Sequence, residues 1–359
     1  MCGIVGVVGN SNAVDILIQG LEKLEYRGYD SAGIYVTDAP DKGCLVKSVG
    51  RIADLRAKIS SDVKGSTGIG HTRWATHGQA TEDNAHPHTS ETGRFVLVHN
   101  GVIENYLQIK EEYLQGHKFK GQTDTEIAVH LIGKFVDEDG LSVLEALKKS
   151  LHIIQGSYAF ALVDSQAPDT IYVAKNKSPL LIGVGEGYNM VCSDAMAMIR
   201  ETSQFMEIHD KELVVLTKDA ITVTDYEGNA IERGTYTAEL DLSDIGKGTY
   251  PYYMLKEIDE QPTVMRKLIS TYADDEGNIT VDPAIVKSVQ EADRIYILAA
   301  GTSYNAGFAS KAMFEKLTDT PVEIGVASEW GYNIPLLSKN QCLFCLVNQV
   351  KQQIAVKFW

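Results

Sequence analysis

The first residues of the chain are core residues. Positions 2–9, CGIVGVVG, mix bulky apolar side chains with glycine and carry no charge, the composition of a strand covered on both faces. A terminus ordinarily frays. One that is apolar from its second residue needs a sheet built around it, and the side chain at its tip, Cys2, then stands on a rigid element. With 359 residues, 44% apolar and 23% charged, there is material for two or three domains with full-sized cores.

Charge and cysteine usage narrow the function. The 33 Lys and Arg against 48 Asp and Glu give a formal charge of -15, which repels polyanions, so nucleic acid is not an expected partner. Five cysteines at 2, 44, 192, 342 and 345 are too scattered, and odd in number, for a disulfide framework, which points to a reducing compartment. No apolar run reaches the ~18 residues of a membrane span. The N-terminus MCGIVG lacks the basic region and cleavage site of a signal peptide. A cytoplasmic chain without membrane contact is expected.

Ser11 and Asn12 can cap a helix whose apolar positions Val14, Leu17, Leu21 and Leu24 follow helical spacing. Strand-like runs at 31–37, 43–49, 66–72 and 95–103 precede helical patterns at 104–114, 124–137 and 141–151. Strands return at 157–164, 170–175, 180–185, 189–193, 206–216 and 220–225. Strands and helices segregate, so a layered α+β domain is expected over 1–225. Residues 226–250, rich in glycine and acidic side chains, read as a linker. The grammar then changes over 251–359. Helical stretches at 253–271 and 283–291 lead to strand 294–299, the turn AGTS, a helix over 304–317 and a strand over 321–326, the βαβ order of a doubly wound α/β sheet.

The chemistry starts at Cys2. A small second residue permits removal of the initiator Met, after which one residue holds both nucleophile and base: the α-amino group, with an unperturbed pKa of about 7.7–8.0, can take the thiol proton. The segment Gly70-His71-Thr72-Arg73-Trp74-Ala75-Thr76-His77-Gly78 is too polar for a core strand and reads as a binding loop. His99-Asn100-Gly101 closes the strand 95–98, where an Asn amide and a Gly N–H can donate to a developing oxyanion; Asn-Gly is equally the signature of a type I′ turn. Thr123 or Asp124 precedes a helix and can simply cap it. His71, His77, His86, His88 and His99 are five of the nine histidines, but no Cys or acidic residue stands at zinc-site spacing beside them, so no metal is assigned. Amide hydrolysis requires no cofactor, and none is assigned.

Taken together, CGIVG at residue 2, YRGYDSAG at 26–33, HTRWATHG, HNGVIEN and TDTE resemble, in order, the class II glutamine amidotransferases. The resemblance implies an N-terminal-nucleophile αββα sandwich acting on L-glutamine. It implies that Cys2 attacks the side-chain amide, that Arg73 pairs with the α-carboxylate and that Asp124 binds the α-ammonium. Asn100 and Gly101 would form the oxyanion hole, Thr76 and His77 would line the pocket, and Trp74 would gate the passage of ammonia.

Gly301-Thr302-Ser303 follows strand RIYILAA and opens a helix, where N–H groups and hydroxyls can cradle a phosphate. With KGTYPYYMLKEIDEQP at 247–262 and VASEWGY at 326–332, it resembles the sugar-isomerase (SIS) domain of the glutamine:fructose-6-phosphate amidotransferases. That resemblance implies fructose 6-phosphate as acceptor, held by Thr302 and Ser303, glucosamine 6-phosphate as product, and homo-oligomers for full-length members.

The carboxyl end departs from the family, which carries a second phosphate loop resembling Ser-Gln-Ser-Gly-Glu-Thr where this chain reads VNQVKQQIA at 347–355. A coding string for Ser-Gln-Ser-Gly-Glu-Thr-Ala-Asp-Ser read one base later yields that same VNQVKQQIA, so a shifted frame is the hypothesis for the tail; a gene without a one-base difference from its relatives near codon 341 rejects it. The isomerising residues of the family lie further downstream. The expectation for these 359 residues is therefore glutamine hydrolysis without sugar conversion, and the rival readings are a silent sugar-phosphate-binding or oligomerising fragment and an amidotransferase with another acceptor. Cys342-x-x-Cys345 sits in an apolar run and reads as structural.

Overall fold

The computed structural model describes residues 2–25, 28, 30–74, 78–238, 250, 252–273, 276, 278–330 and 340–346. Thr76, His77 and the shifted-frame segment 347–355 lie outside the described residues. Two compact units divide the chain, 1–246 and 247–359.

The first unit opens with β1 (Gly3–Val8), α1 (Ala13–Leu24), β2 (Ser31–Thr37), β3 (Cys44–Val49), α2 (Ile52–Lys58) and β4 (Thr67–Arg73). It continues with β5 (His88–Thr89), β6 (Phe95–Ile103), α3 (Tyr106–Tyr113), α4 (Asp124–Asp137) and α5 (Val143–Ile153). The remaining strands are β7 (Gly156–Asp164), β8 (Ile171–Asn176), β9 (Leu181–Val184), β10 (Asn189–Cys192), β11 (Gln204–Glu207), β12 (Glu212–Leu216), β13 (Ile221–Asp225) and β14 (Thr235–Thr237). An eight-stranded sheet has the order β14-β11-β9-β10-β1-β4-β2-β3, and a six-stranded sheet the order β13-β12-β8-β7-β6-β5.

Period-two alternation turns these two sheets into four layers. On β1, Val5 and Val7 pack against α1 and α2, whereas Ile4 and Val8 meet the other sheet. On β6, Phe95 and Leu97 pack under α3, α4 and α5, whereas Val96 and Val98 face β1 and its neighbours. β7 does the same, with Phe160 and Leu162 towards the helices and Ala159, Ala161 and Val163 between the sheets. Each fully buried aliphatic or Phe side chain contributes roughly 1.5–3 kcal/mol. The unit is the αββα sandwich expected from the resemblance.

Several elements differ from the sequence reading, each for a local reason. β6 spans the run read at 95–103 and pairs with β7 throughout, so Asn100-Gly101 lies within the strand and is neither its close at residue 98 nor a hairpin tip. The run 206–216 is two strands in different sheets, separated by a turn in which Lys211 has φ 64. Asn12 makes no side-chain cap on α1. α2 has only Ile52 and Leu55 as buried anchors, too few for a periodic signal. The segment read as a linker enters the first unit: Tyr226 is buried and shares a hydrogen bond with Tyr158 (2.6 Å), and β14 extends the large sheet against β11.

The second unit contains α6 (Tyr253–Tyr272), α7 (Pro283–Gln290), β15 (Arg294–Ala299), α8 (Gly301–Thr318), β16 (Val322–Val326), α9 (Ala327–Trp330) and β17 (Gln341–Cys345). Its three strands are parallel in the order β16-β15-β17. Ile295, Ile297, Val322 and Cys342 form its core. Cys345 is exposed while Cys342 is buried, as expected for positions three apart on a strand, which face opposite sides. Among the described residues no helix is long and apolar enough to cross a membrane.

Candidate active site

The alternation that builds the core also assembles the site. On β1 the side chains facing the other sheet are at even positions, which places Cys2 in series with Ile4 and Val8; on β4, Ile69 faces the same way, followed by His71 and Arg73; on β6, Val96 and Val98 are followed by Asn100. β1 and β4 pair antiparallel with Gly3 opposite Thr72, so Cys2 falls beside Arg73 at the end of the register. Three strands thus present Cys2, Arg73 and Asn100 at one end of the space between the sheets.

The contacts agree with that placement. Cys2 Sγ accepts from the Trp74 N–H at 3.2 Å and donates to the Trp74 carbonyl at 3.6 Å. Burial pushes the thiol pKa up, against the Trp74 hydrogen bond, which lowers it. The sulfur is therefore a thiol at neutral pH and needs a base to become a nucleophile. Asn100 Nδ2 donates to the Cys2 carbonyl at 3.2 Å. Gly101 follows with φ 138, and a Cβ there would lie 2.1 Å from the Ser157 carbonyl oxygen. Only glycine fits.

His71 fixes the Asn100 amide. Its Nε2 lies 3.0 Å from both the His99 carbonyl oxygen and Asn100 Oδ1; a carbonyl can only accept, so Nε2 carries the proton, and the Asn100 nitrogen is left to point at Cys2. His71 and His86 stack at 4.1 Å, and His88 meets His86 edge-on at 4.7 Å. Burial holds His71 down to about 3, and burial likewise pushes His86 and His88 well below the ordinary 6.5 and lowers His99. These histidines are neutral scaffolding.

A pH prediction follows from the sign. Unfolded histidines take up protons near 6.5 while folded His71 does not until about 3, so the unfolded state binds more protons and stability falls as pH drops below 6.5. Between about pH 7.5 and about pH 5.5, His71 alone lowers the unfolding free energy by ~1.4 kcal/mol, with the other three adding to it. Urea unfolding at the two pH values measures this. A stability unchanged between them contradicts a neutral cluster.

Arg73 is buried, donating from Nη1 to the Gln79 carbonyl at 3.1 Å, with Asp30 Oδ1 at 3.7 Å. Asp124 is buried in the first turn of α4, and its Oδ2 accepts from the Ile103 N–H at 2.8 Å. The cap of that helix is Thr123, whose hydroxyl accepts from the Glu126 N–H at 3.3 Å; Asp124 is thus not used as the cap. Trp74 is 51% exposed.

Residues not singled out in the sequence hold these groups. Asn84 donates from Nδ2 to the Gln79 carbonyl (3.1 Å) and accepts from the Gln122 N–H (2.8 Å), tying the segment after Arg73 to the one before Asp124. Buried Glu126 accepts from the Lys120 and Gly121 N–H groups at 2.7 and 2.8 Å. Asp30 belongs to the YRGYDSAG motif, but nothing in that string marks it as the partner of Arg73.

In the second unit, Gly301 has φ 57 and begins α8, so Thr302 and Ser303 lie in its first turn and not in a loop before it. β16 lies on one side of β15 and β17 on the other, so the carboxyl end of β15 is where the strand order reverses, the usual ligand position in such sheets.

Residues 71–200 match the glutamine amidotransferase domain family, and residues 288–351 the SIS domain family. Two solved structures share the fold of 90% of this chain: the glutamine phosphoribosylpyrophosphate amidotransferase from B. subtilis (TM-score 0.56, 24% identity, 66% of that chain) and an allosteric regulatory enzyme of purine biosynthesis (TM-score 0.57, 24% identity, 65% of that chain). The αββα fold and the amidotransferase match define the first unit as a class II glutamine amidotransferase domain. Glutamine--fructose-6-phosphate aminotransferases (isomerizing) from Streptococcus mutans and Streptococcus pyogenes are 82% and 81% identical over 349 residues, 97% of this chain. The chain is similar to those enzymes over nearly all of its residues and spans 58% of their length.

Proposed function

We propose that these residues hydrolyse L-glutamine to L-glutamate and ammonia, and that in the family's full-length protein the ammonia is passed to fructose 6-phosphate to give glucosamine 6-phosphate. The observation that carries the reading is the meeting of Cys2, Arg73 and Asn100 at one end of the two sheets, with the Asn100 amide turned to Cys2 at 3.2 Å. The names of the relatives support the choice of acceptor.

In this mechanism the α-amino group freed by removal of Met1 takes the Cys2 thiol proton, and the thiolate adds to the carboxamide carbon. The carbonyl oxygen becomes an anion, stabilised by the Asn100 Nδ2–H and the Gly101 N–H. The protonated amine returns its proton to the leaving nitrogen, ammonia departs, and water hydrolyses the thioester under the same base. Arg73 pairs with the substrate carboxylate through two parallel N–H donors, and Asp124 holds the ammonium. Thr76 and His77 are assigned to the pocket wall and Trp74 to the ammonia gate. Thr302 and Ser303, in the first turn of α8, are assigned to the sugar phosphate.

Replacing Arg73 by alanine raises KM for glutamine about 10²-fold, the loss of a charge-assisted bidentate contact, while kcat stays within a few-fold. Initial rates of glutamate formation over a glutamine series measure both. A fall in kcat with KM unchanged contradicts the carboxylate-binding role.

A further inference from the structure

Three side chains distant in sequence meet on the helical side of the first unit, away from the cysteine. Glu91 lies in the turn between β5 and β6, His117 in the connection between α3 and α4, and His130 on α4. One oxygen or nitrogen from each lies within 4.8 Å of the others. His130 is 3% exposed, and its Nδ1 is buried without a hydrogen-bond partner. Its ring centroid is 5.7 Å from that of His117. A buried ring nitrogen left unpaired is destabilising unless something outside the chain takes its lone pair.

His117 has the geometry of a second ligand. Its Nε2 lies 3.1 Å from Glu138 Oε1, and its Nδ1 lies 2.8 Å from Glu91 Oε2 but out of line for a hydrogen bond. With the ring proton on Nε2, which faces Glu138, Nδ1 presents a lone pair beside the Glu91 carboxylate. A carboxylate behind a histidine in this way is the outer-shell arrangement that orients metal-bound imidazoles. Ligand atoms around a tetrahedral zinc lie about 3.3 Å apart given bonds of about 2.0–2.2 Å, so small side-chain rotations close the group on an ion.

We propose that Glu91, His117 and His130 bind one divalent transition-metal ion with zinc-like preference. Two imidazole nitrogens and one carboxylate oxygen suit zinc and its neighbours, whereas magnesium and calcium take oxygen ligands almost exclusively. The ion joins the β5–β6 turn, the α3–α4 connection and α4, the helix whose first turn carries Asp124. None of the three ligands belongs to the proposed glutaminase machinery. Sequence spacing does not reveal the set, because its members come from three separate elements.

The test is zinc and cobalt titration of the metal-free chain by calorimetry and absorption, on the parent, Glu91→Gln and His130→Ala. Glu91 is exposed, so Glu91→Gln keeps the fold even if loss of the buried ring does not. The expected result is one zinc per chain, weakened at least about tenfold in Glu91→Gln, a melting temperature raised by zinc in the parent more than in that variant, and a cobalt spectrum without sulfur charge transfer. Zinc binding of equal strength in Glu91→Gln, a sulfur band from the cysteines alone, or no binding by the parent overturns the proposal.

Discussion

Cys2→Ala releases no ammonia from glutamine above background, a fall in kcat/KM of at least about 10⁴-fold, the scale seen when a covalent nucleophile is removed. Alanine is as small as cysteine, so amino-terminal processing proceeds as before and the α-amino group remains. What is lost is the sulfur that forms the thioester, and no neighbour replaces it: the histidines nearest Asn100 are buried and neutral, and Nε2 of His71 is committed to the His99 carbonyl and Asn100. Cys2 sits at the end of β1, beyond the buried pairs that begin at Gly3, so the melting temperature changes little. Glutamate production by Cys2→Ala at the parent rate would remove the nucleophile from the mechanism.

Asn100→Ala lowers kcat by about 10²–10³-fold with a smaller change in KM, the cost of one oxyanion donor. The donor is pre-set by the fold. His71 Nε2–H holds Asn100 Oδ1 at 3.0 Å, which leaves Nδ2 to donate to the Cys2 carbonyl at 3.2 Å; in the proposed mechanism its second N–H serves the substrate oxygen. Asn100→Asp removes the donor and adds a negative charge beside a developing anion, and its kcat falls at least as far. Should Asn100→Ala change KM alone, Asn100 binds glutamine without stabilising the tetrahedral intermediate.

Much of this centre was legible in the string of residues because the same alternation that patterns the core points the functional side chains. CGIVGVVG announces a buried strand with Cys2 at its tip, and TDTE announces the start of α4. Position relative to secondary structure was harder to see. Asn100-Gly101 carries the local signature of a hairpin turn, yet β6 runs through it because β7 supplies a full-length partner and Gly101 tolerates a φ of 138. Tertiary pairing outweighed turn propensity. Residues 226–238 look like a linker by composition, but Tyr226 is drawn into the core by its hydroxyl contact with Tyr158. Partners supplied by distant segments, such as Asp30 for Arg73, Asn84 between two loops and Glu138 behind His117, leave no trace in local spacing.

The amine-and-thiol pairing at residue 2 is tested most directly by separating chains that begin at Cys2 from chains that retain Met1, confirming each by intact mass, and measuring ammonia release from glutamine by both. Ammonia release confined to chains with a free Cys2 amine is the expected result. Equal release from chains that keep Met1, with Cys2 in an internal peptide bond, would contradict it, because the group assigned as base would then be absent.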